Sequence, residues 1–214
     1  MTYLGAGRIS QPDDYTPYRK PAIFVINQEF YRQFPASWKY SLAVSYRRQH
    51  EYQDDSPYEH EDPDIRHEFR MYGRISYSLK TSGVKFTPTF RQEFRKFFSH
   101  NTEQPSENFQ LRSRFKLQLA VNLDKQKHHH LIAGSELLFS RSKKTNPTQW
   151  TVFNYKESRF SLYYSFTAKK LPLTLSTGYM YNIVGKDSPY DVHYFAFDII
   201  VENPFGENKK SEKQ

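Results

Sequence analysis

FQLRSRFKLQLAVNL, residues 109–123, separates its side chains by parity. The odd positions are Phe109, Leu111, Ser113, Phe115, Leu117, Leu119, Val121 and Leu123. The even positions are Gln110, Arg112, Arg114, Lys116, Gln118, Ala120 and Asn122. Successive side chains of a strand point to opposite faces, so this segment is a strand with one apolar wall and one charged wall. A helix, with its period of 3.6, would scatter both sets around its circumference. Globular strands usually have about 5–6 residues. This one is long enough to cross a bilayer, for which a tilted strand needs about 9–11 residues.

The same pattern recurs on both sides. Toward the C-terminus, residues 131–141 set Leu131, Ala133, Leu137 and Phe139 against Gly134, Glu136 and Ser140. Residues 155–166 set Phe160, Leu162, Tyr164 and Phe166 against Glu157, Arg159, Ser161, Tyr163 and Ser165. Strands over 173–183 and 193–201 follow, the last with Asp198 on its polar wall. Toward the N-terminus, 84–98 opposes Phe86, Phe90 and Phe94 to Arg91, Glu93 and Arg95. Its Pro88 has no N–H to give to a ladder, which favours an edge or a bulge. Residues 66–80 oppose Phe69, Met71 and Ile75 to Glu68, Arg70 and Arg74, and further strands are expected over 38–47, 22–34 and 2–9. Short links at 35–37, 80–83, 124–130 and 168–172 alternate with long ones at 10–21, 51–65, 99–107, 142–154 and 184–191. That rhythm is the mark of an up-and-down barrel with short turns on one side and long loops on the other.

The expected fold class is therefore all-β, an up-and-down antiparallel transmembrane β-barrel of about ten strands. Residues 1–205 form its one domain and 206–214, rich in Lys and Glu, a disordered tail. Composition agrees with this reading. Apolar residues make up 37% of the 214 residues and never run longer than the five of Ala22–Ile26, too short a run for a transmembrane helix, yet aromatics reach 17%. A polar lumen with aromatic girdles has that profile. The absence of cysteine excludes disulfides and thiolate metal sites. The net charge of +8 does not mark a nucleic-acid binder, because the basic residues alternate with apolar ones along strands. The start of the chain lacks the layout of a signal peptide, which implies a removed signal or a chain that begins inside a longer precursor.

Alternation alone leaves open which wall faces outward. A soluble lipocalin-like barrel would put the apolar wall inside. Long strands of similar length, alternating connections and aromatics near strand ends (Trp38, Tyr46, Phe98, Phe109) favour lipid outside and charge inside. The expected location is the bacterial outer membrane, with its lipid as the partner and with no cofactor.

LRSRFKLQLAV (111–121), LIAGSELLFS (131–140) and ESRFSLYYSF (157–166), with FTPTFRQEFRKFF (86–98) before them, resemble the outer-membrane β-barrel family known as domain of unknown function 2490. The resemblance covers roughly 22–205 and aligns Arg112, Arg114, Glu136, Arg159 and His193 with that family's pattern. It departs at the start, where the family carries a signal peptide and strands with Trp and Arg. It implies fold and location and no particular chemistry.

The candidate site is the inward charge set Glu68, Arg70, Arg74, Arg91, Glu93, Arg95, Arg112, Arg114, Lys116, Glu136, Arg159 and Asp198. Bases outnumber acids eight to four in it, so one-to-one pairing needs other carboxylates such as Glu29. Cross-strand pairs would fill a narrow lumen; the sharper alternative is a basic constriction that favours anions. His128–His130 point to alternating faces, which spoils convergent metal ligation. The acidic segment 51–64, with Asp54, Asp55, Glu59, Glu61, Asp62 and Asp64, lacks the spacing of a calcium loop. No Gly-x-Ser-x-Gly is present, and no enzyme is expected. The alternatives are a narrow anion pore, a soluble ligand-binding barrel and a membrane-embedded hydrolase.

Overall fold

The computed structural model describes residues 2–9, 20–34, 37–53, 57, 59–99, 105–169, 171, 173–186 and 188–201. The tail expected at 206–214 lies outside these. One antiparallel sheet holds β1 (Thr2–Ile9), β2 (Lys20–Gln33), β3 (Trp38–Tyr52), β4 (His60–Tyr77), β5 (Leu79–Thr81), β6 (Val84–Ser99), β7 (Glu107–Asn122), β8 (His129–Lys144), β9 (Asn154–Thr167), β10 (Leu173–Val184) and β11 (Tyr190–Val201). Each strand pairs with the next in sequence, except that β4 and the three-residue β5 both pair with β6. The sheet curls into a nearly closed barrel, with one unsealed seam between β1 and β11. Tyr3 and Asp198 lie on the two strands that flank it.

The two walls of β7 decide the inside from the outside. Phe115 and Leu117 are 50% and 51% exposed, while Gln110 is buried and Arg112, Arg114 and Lys116 are half-buried. Neighbouring strands agree: Phe30, Leu42, Met71, Phe94, Leu137 and Leu162 are exposed, while Asn27, Glu29, Ala43, Glu68, Glu93 and Ser165 are buried. The barrel is inside out relative to a lipocalin, with a polar core and an apolar coat. A parity rule carried across every ladder makes this arrangement robust, since a one-residue slip would invert every side chain of a strand.

Three local departures from expectation have physical causes. Pro88 sits neither at an edge nor in a bulge, since the β6–β7 register runs unbroken through Pro88↔Leu117. The missing N–H shows up on the other side, where the strand expected at 66–80 breaks at Ser78 into β4 and β5. The register resumes unchanged at Leu79↔Phe86, while on its other side Ser78 donates its N–H to the Ser37 carbonyl, one step on from Trp38↔Tyr77 in the ladder with β3.

Second, the strands run further into the long connections than expected. The β3–β4 ladder reaches Tyr52↔His60, and β8 continues to Lys144, where Lys143 bridges to Trp150. Beyond the apolar band, ladder hydrogen bonds continue without hydrophobic side chains, so alternation stops signalling a strand before the strand ends.

Third, a bulge between Leu138 and Phe139 shifts the β8–β9 register. Leu138 points inward and is fully buried, an apolar residue within the polar lumen.

One outward polar spot also needs an account. Ser113 shares the apolar wall of β7, and its hydroxyl donates to Gln92 Oε1 at 2.6 Å. Gln92 in turn donates to the Arg112 carbonyl at 3.1 Å. The pair satisfies itself, which makes a polar patch on an apolar coat tolerable.

Candidate functional site: the charged lumen

Four glutamates and five arginines join into one network across β4, β6, β7, β8 and β9. Glu68 takes a bidentate guanidinium from Arg95, and Arg70 donates to it at 2.8 Å. Arg70 also lies 3.8 Å from Glu93. Glu93 is contacted by Arg91 at 2.7 Å and by Arg114 at 2.9 Å. Arg114 reaches Glu136 at 2.7 Å. Arg159 stands 3.9 Å from Glu136 and grips Glu157 at 2.7 and 2.9 Å.

The strand geometry explains this alternation. Residues two apart on a strand share a face, so Glu68 and Arg70, Arg91 and Glu93, and Glu157 and Arg159 each form a same-face pair. Cross-strand register then sets Arg70 opposite Arg95 and Arg91 opposite Arg114. Like charges placed directly opposite destabilise a sheet, and the glutamates offset this by bridging diagonally between the arginines.

The centre of the network is densely packed. Glu93 has 0% exposure. The Arg91 guanidinium stacks on the Tyr72 ring at 3.5 Å, and Tyr72 donates to Asn27 Oδ1 at 3.0 Å. Fully buried Leu138, Ser140 and Ser142 complete the packing, with Ser142 accepting from Gln110 at 3.0 Å. On either side of this layer the lumen opens. Toward the long connections a chamber of about 360 Å³ is lined by Arg47, Arg66, Arg95, Arg112 and Arg159 together with Glu68, Glu107 and Glu157. Toward the short turns a chamber of about 280 Å³ is lined by Lys39, Arg74, Lys85, Arg91, Arg114 and Lys116, with Glu136 its one carboxylate. Glu93 lines neither.

Of the residues expected inside, Glu68, Arg70, Arg91, Glu93, Arg95, Arg114, Glu136 and Arg159 are thus brought together. Arg74 forms a separate ion pair with Glu29. Arg112 and Lys116 line the two chambers without an ion pair among the described residues. Asp198 stands apart on β11, near the seam. Parity had placed Glu157 on the polar wall of its strand without drawing it into the site, and its position two residues from Arg159 was the available signal. Arg47, at the end of the strand expected over 38–47, also lines the lumen.

The histidines disperse. His128 Nδ1 meets the Thr167 carbonyl at 3.1 Å, His129 Nδ1 meets the Tyr164 hydroxyl at 2.6 Å, and His130 Nδ1 meets Asn122 Oδ1 at 2.9 Å. The turn before them is held by Asp124, whose carboxylate accepts the N–H groups of His128 and His129 at 2.8 Å each. Those two donors keep the Asp124 carboxyl below its ordinary value. In the acidic segment, Asp54 and Asp55 and the side chains of 61–64 lie outside the described residues.

Outside the barrel, His67 pairs with Tyr46 at 2.6 Å. His193 joins the Tyr179 hydroxyl and, through Nε2, Asp191 at 2.9 Å. This last trio has the layout of a proton relay, with a phenol where a nucleophilic alcohol would stand.

No curated protein matches the chain, and no solved structure matches it. Residues 24–193, from the second strand through the start of the last, match the family described as Protein of unknown function (DUF2490), and the chain belongs to that family.

Proposed function

We propose that the chain is an integral outer-membrane β-barrel whose lumen is blocked by its charge network and which performs no catalysis. It serves as an envelope component. The observation that carries this reading is the inverted distribution of polarity, an apolar coat around a core of paired arginines and glutamates. In water the exposed Phe30, Leu42, Met71, Phe115, Leu117 and Leu162 would form a continuous sticky surface. In lipid they are the solvent-facing layer.

Aromatic pairs near the strand ends add support. Trp38 packs on Tyr77 and Phe34 on Tyr40 at the short-turn end, and Phe109 on Trp150 at the other. Rings of this kind suit the two membrane interfaces. The reading also requires β1 and β11 to close in the bilayer, because each backbone group left unpaired there costs several kcal/mol.

A second reading, a narrow anion-favouring pore, draws on the excess of cations in both chambers. The hydrolase reading has the Tyr179–His193–Asp191 trio as its one foothold. It would gain force only from lipid or peptide hydrolysis that His193→Ala abolishes.

Partition is the decisive experiment. The folded chain is expected to stay monodisperse only in detergent or lipid, and to aggregate when the detergent is diluted away. A stable monomer in plain buffer would replace this reading with that of a soluble ligand-binding barrel.

A further inference from the structure

We propose that the chamber on the long-connection side binds a small soluble oxyanion, a molecule bearing a phosphate, sulfate or carboxylate group, held by Arg47 and Arg112. This deepens the barrel reading and rests on it. Three of the five arginines of that chamber are already matched. Arg66 pairs with Glu51 at 3.3 Å, Arg95 with Glu68, and Arg159 with Glu157. Among the described residues, Arg47 donates only to the neutral Gln49, at 2.5 Å. The Arg112 guanidinium has neither a hydrogen bond nor an ion pair among the described residues. The Nε atoms of both are enclosed and meet no acceptor, as is true of Arg66 and Arg114, so it is the lack of an ion pair among the described residues that sets Arg47 and Arg112 apart.

A partly buried charge without an ion-pair partner is unfavourable, and here two half-buried guanidiniums of like sign reach one chamber from β3 and β7, with only the more distant Glu68 and Glu93, among the described residues, to offset them. The guanidinium fork matches an oxyanion bidentately, which an ammonium does not. Glu107, the one carboxylate of the lining without a cation partner among the described residues, begins its strand at the rim. At about 360 Å³ the space lies at the small end of ligand pockets, which run roughly 300–1,000 Å³. Its polar walls suit a free anion and have no place for an acyl chain.

The test uses the folded barrel in a zwitterionic detergent, with inorganic phosphate as the probe at constant ionic strength. Calorimetry should give saturable phosphate binding by wild type, and phosphate should raise its melting temperature. The Arg47→Met/Arg112→Met variant should bind at least about tenfold more weakly. In phosphate-free buffer that variant should melt higher than wild type, because the uncompensated charge is gone. Lys116→Met, in the other chamber, should bind phosphate as wild type does. If the double variant does not fold, Arg112→Lys keeps the charge, removes the fork and should show the same loss of binding.

The proposal is overturned if phosphate leaves wild type unmoved. It is equally overturned if the Arg47 and Arg112 variants respond as wild type does, or if Lys116→Met loses binding to the same degree. Conductance is a separate readout. A barrel that conducts yet holds phosphate at Arg47 and Arg112 would sink the blocked lumen and keep this site.

Discussion

Glu93 shows how much one side chain can carry in a polar core. It is fully buried and faces Arg91, Arg114 and Arg70. Removing one partner of a buried ion pair costs about 3–5 kcal/mol, because the remaining charge stays out of water. Glu93→Gln keeps the shape and deletes the charge, so it should destabilise the barrel by about that amount. Urea unfolding in lipid vesicles measures the loss. A cost nearer that of an exposed pair, about 0–1 kcal/mol, would mean that water fills the lumen and screens the network. The inward position of Glu93 follows from the parity of FTPTFRQEFRKFF alone. Its three arginine contacts do not, since two of them come from β4 and β7, and a period of two carries no information about register between strands. Arg112 and Arg114 show the same limit. They look equivalent in sequence, yet one pairs with two glutamates and the other with none.

At the scale of the element, β7 was legible because polar and apolar residues alternate over its entire span. The expected span of 109–123 and the observed Glu107–Asn122 differ only at the ends. The break of β4 at Ser78 was not legible, because its cause lies in the partner strand, at Pro88. The inward position of Leu138 follows from parity with Glu136 and Ser140, whereas the register shift beside it, where Lys156 of β9 has no partner, shows only in the pairing of β8 with β9. The two walls of β7 make a direct test of orientation. Leu117 points out of the barrel, and Gln118, its neighbour, lines the short-turn chamber. If lipid surrounds the barrel, Leu117→Arg should cost about 2–4 kcal/mol near the midplane, whereas Gln118→Arg remains in the lumen and escapes the lipid cost. Folding free energies in vesicles of both variants decide the matter. Equal costs would place lipid on neither wall, and a larger cost at position 118 would reverse the assignment of inside and outside.

For the molecule as a whole, the question is whether ions can pass from one chamber to the other. A barrel of about eight strands has an interior just wide enough for side chains to fill, and ten strands leave only modest extra room. On the blocked-lumen reading that room is divided, the long-connection and short-turn chambers lying on either side of Glu93, Tyr72 and Arg70, with Arg91 stacked on the ring. Wild-type barrels in a planar bilayer should therefore give no stable current steps. Glu93→Ala combined with Arg114→Ala removes one acid from the layer and one base that borders it on the short-turn side, so the net charge is unchanged while the obstruction is thinned. This double variant should show discrete steps. The current should favour anions, since the linings of both chambers carry more bases than acids. The reversal potential under a salt gradient reads that preference. Stable steps from wild type would mean that the ion pairs line a path and do not close one. Cation preference in the opened variant would mean that the excess arginines and lysines are neutralised by groups on the connections, and that the lumen's sign is set at its mouths.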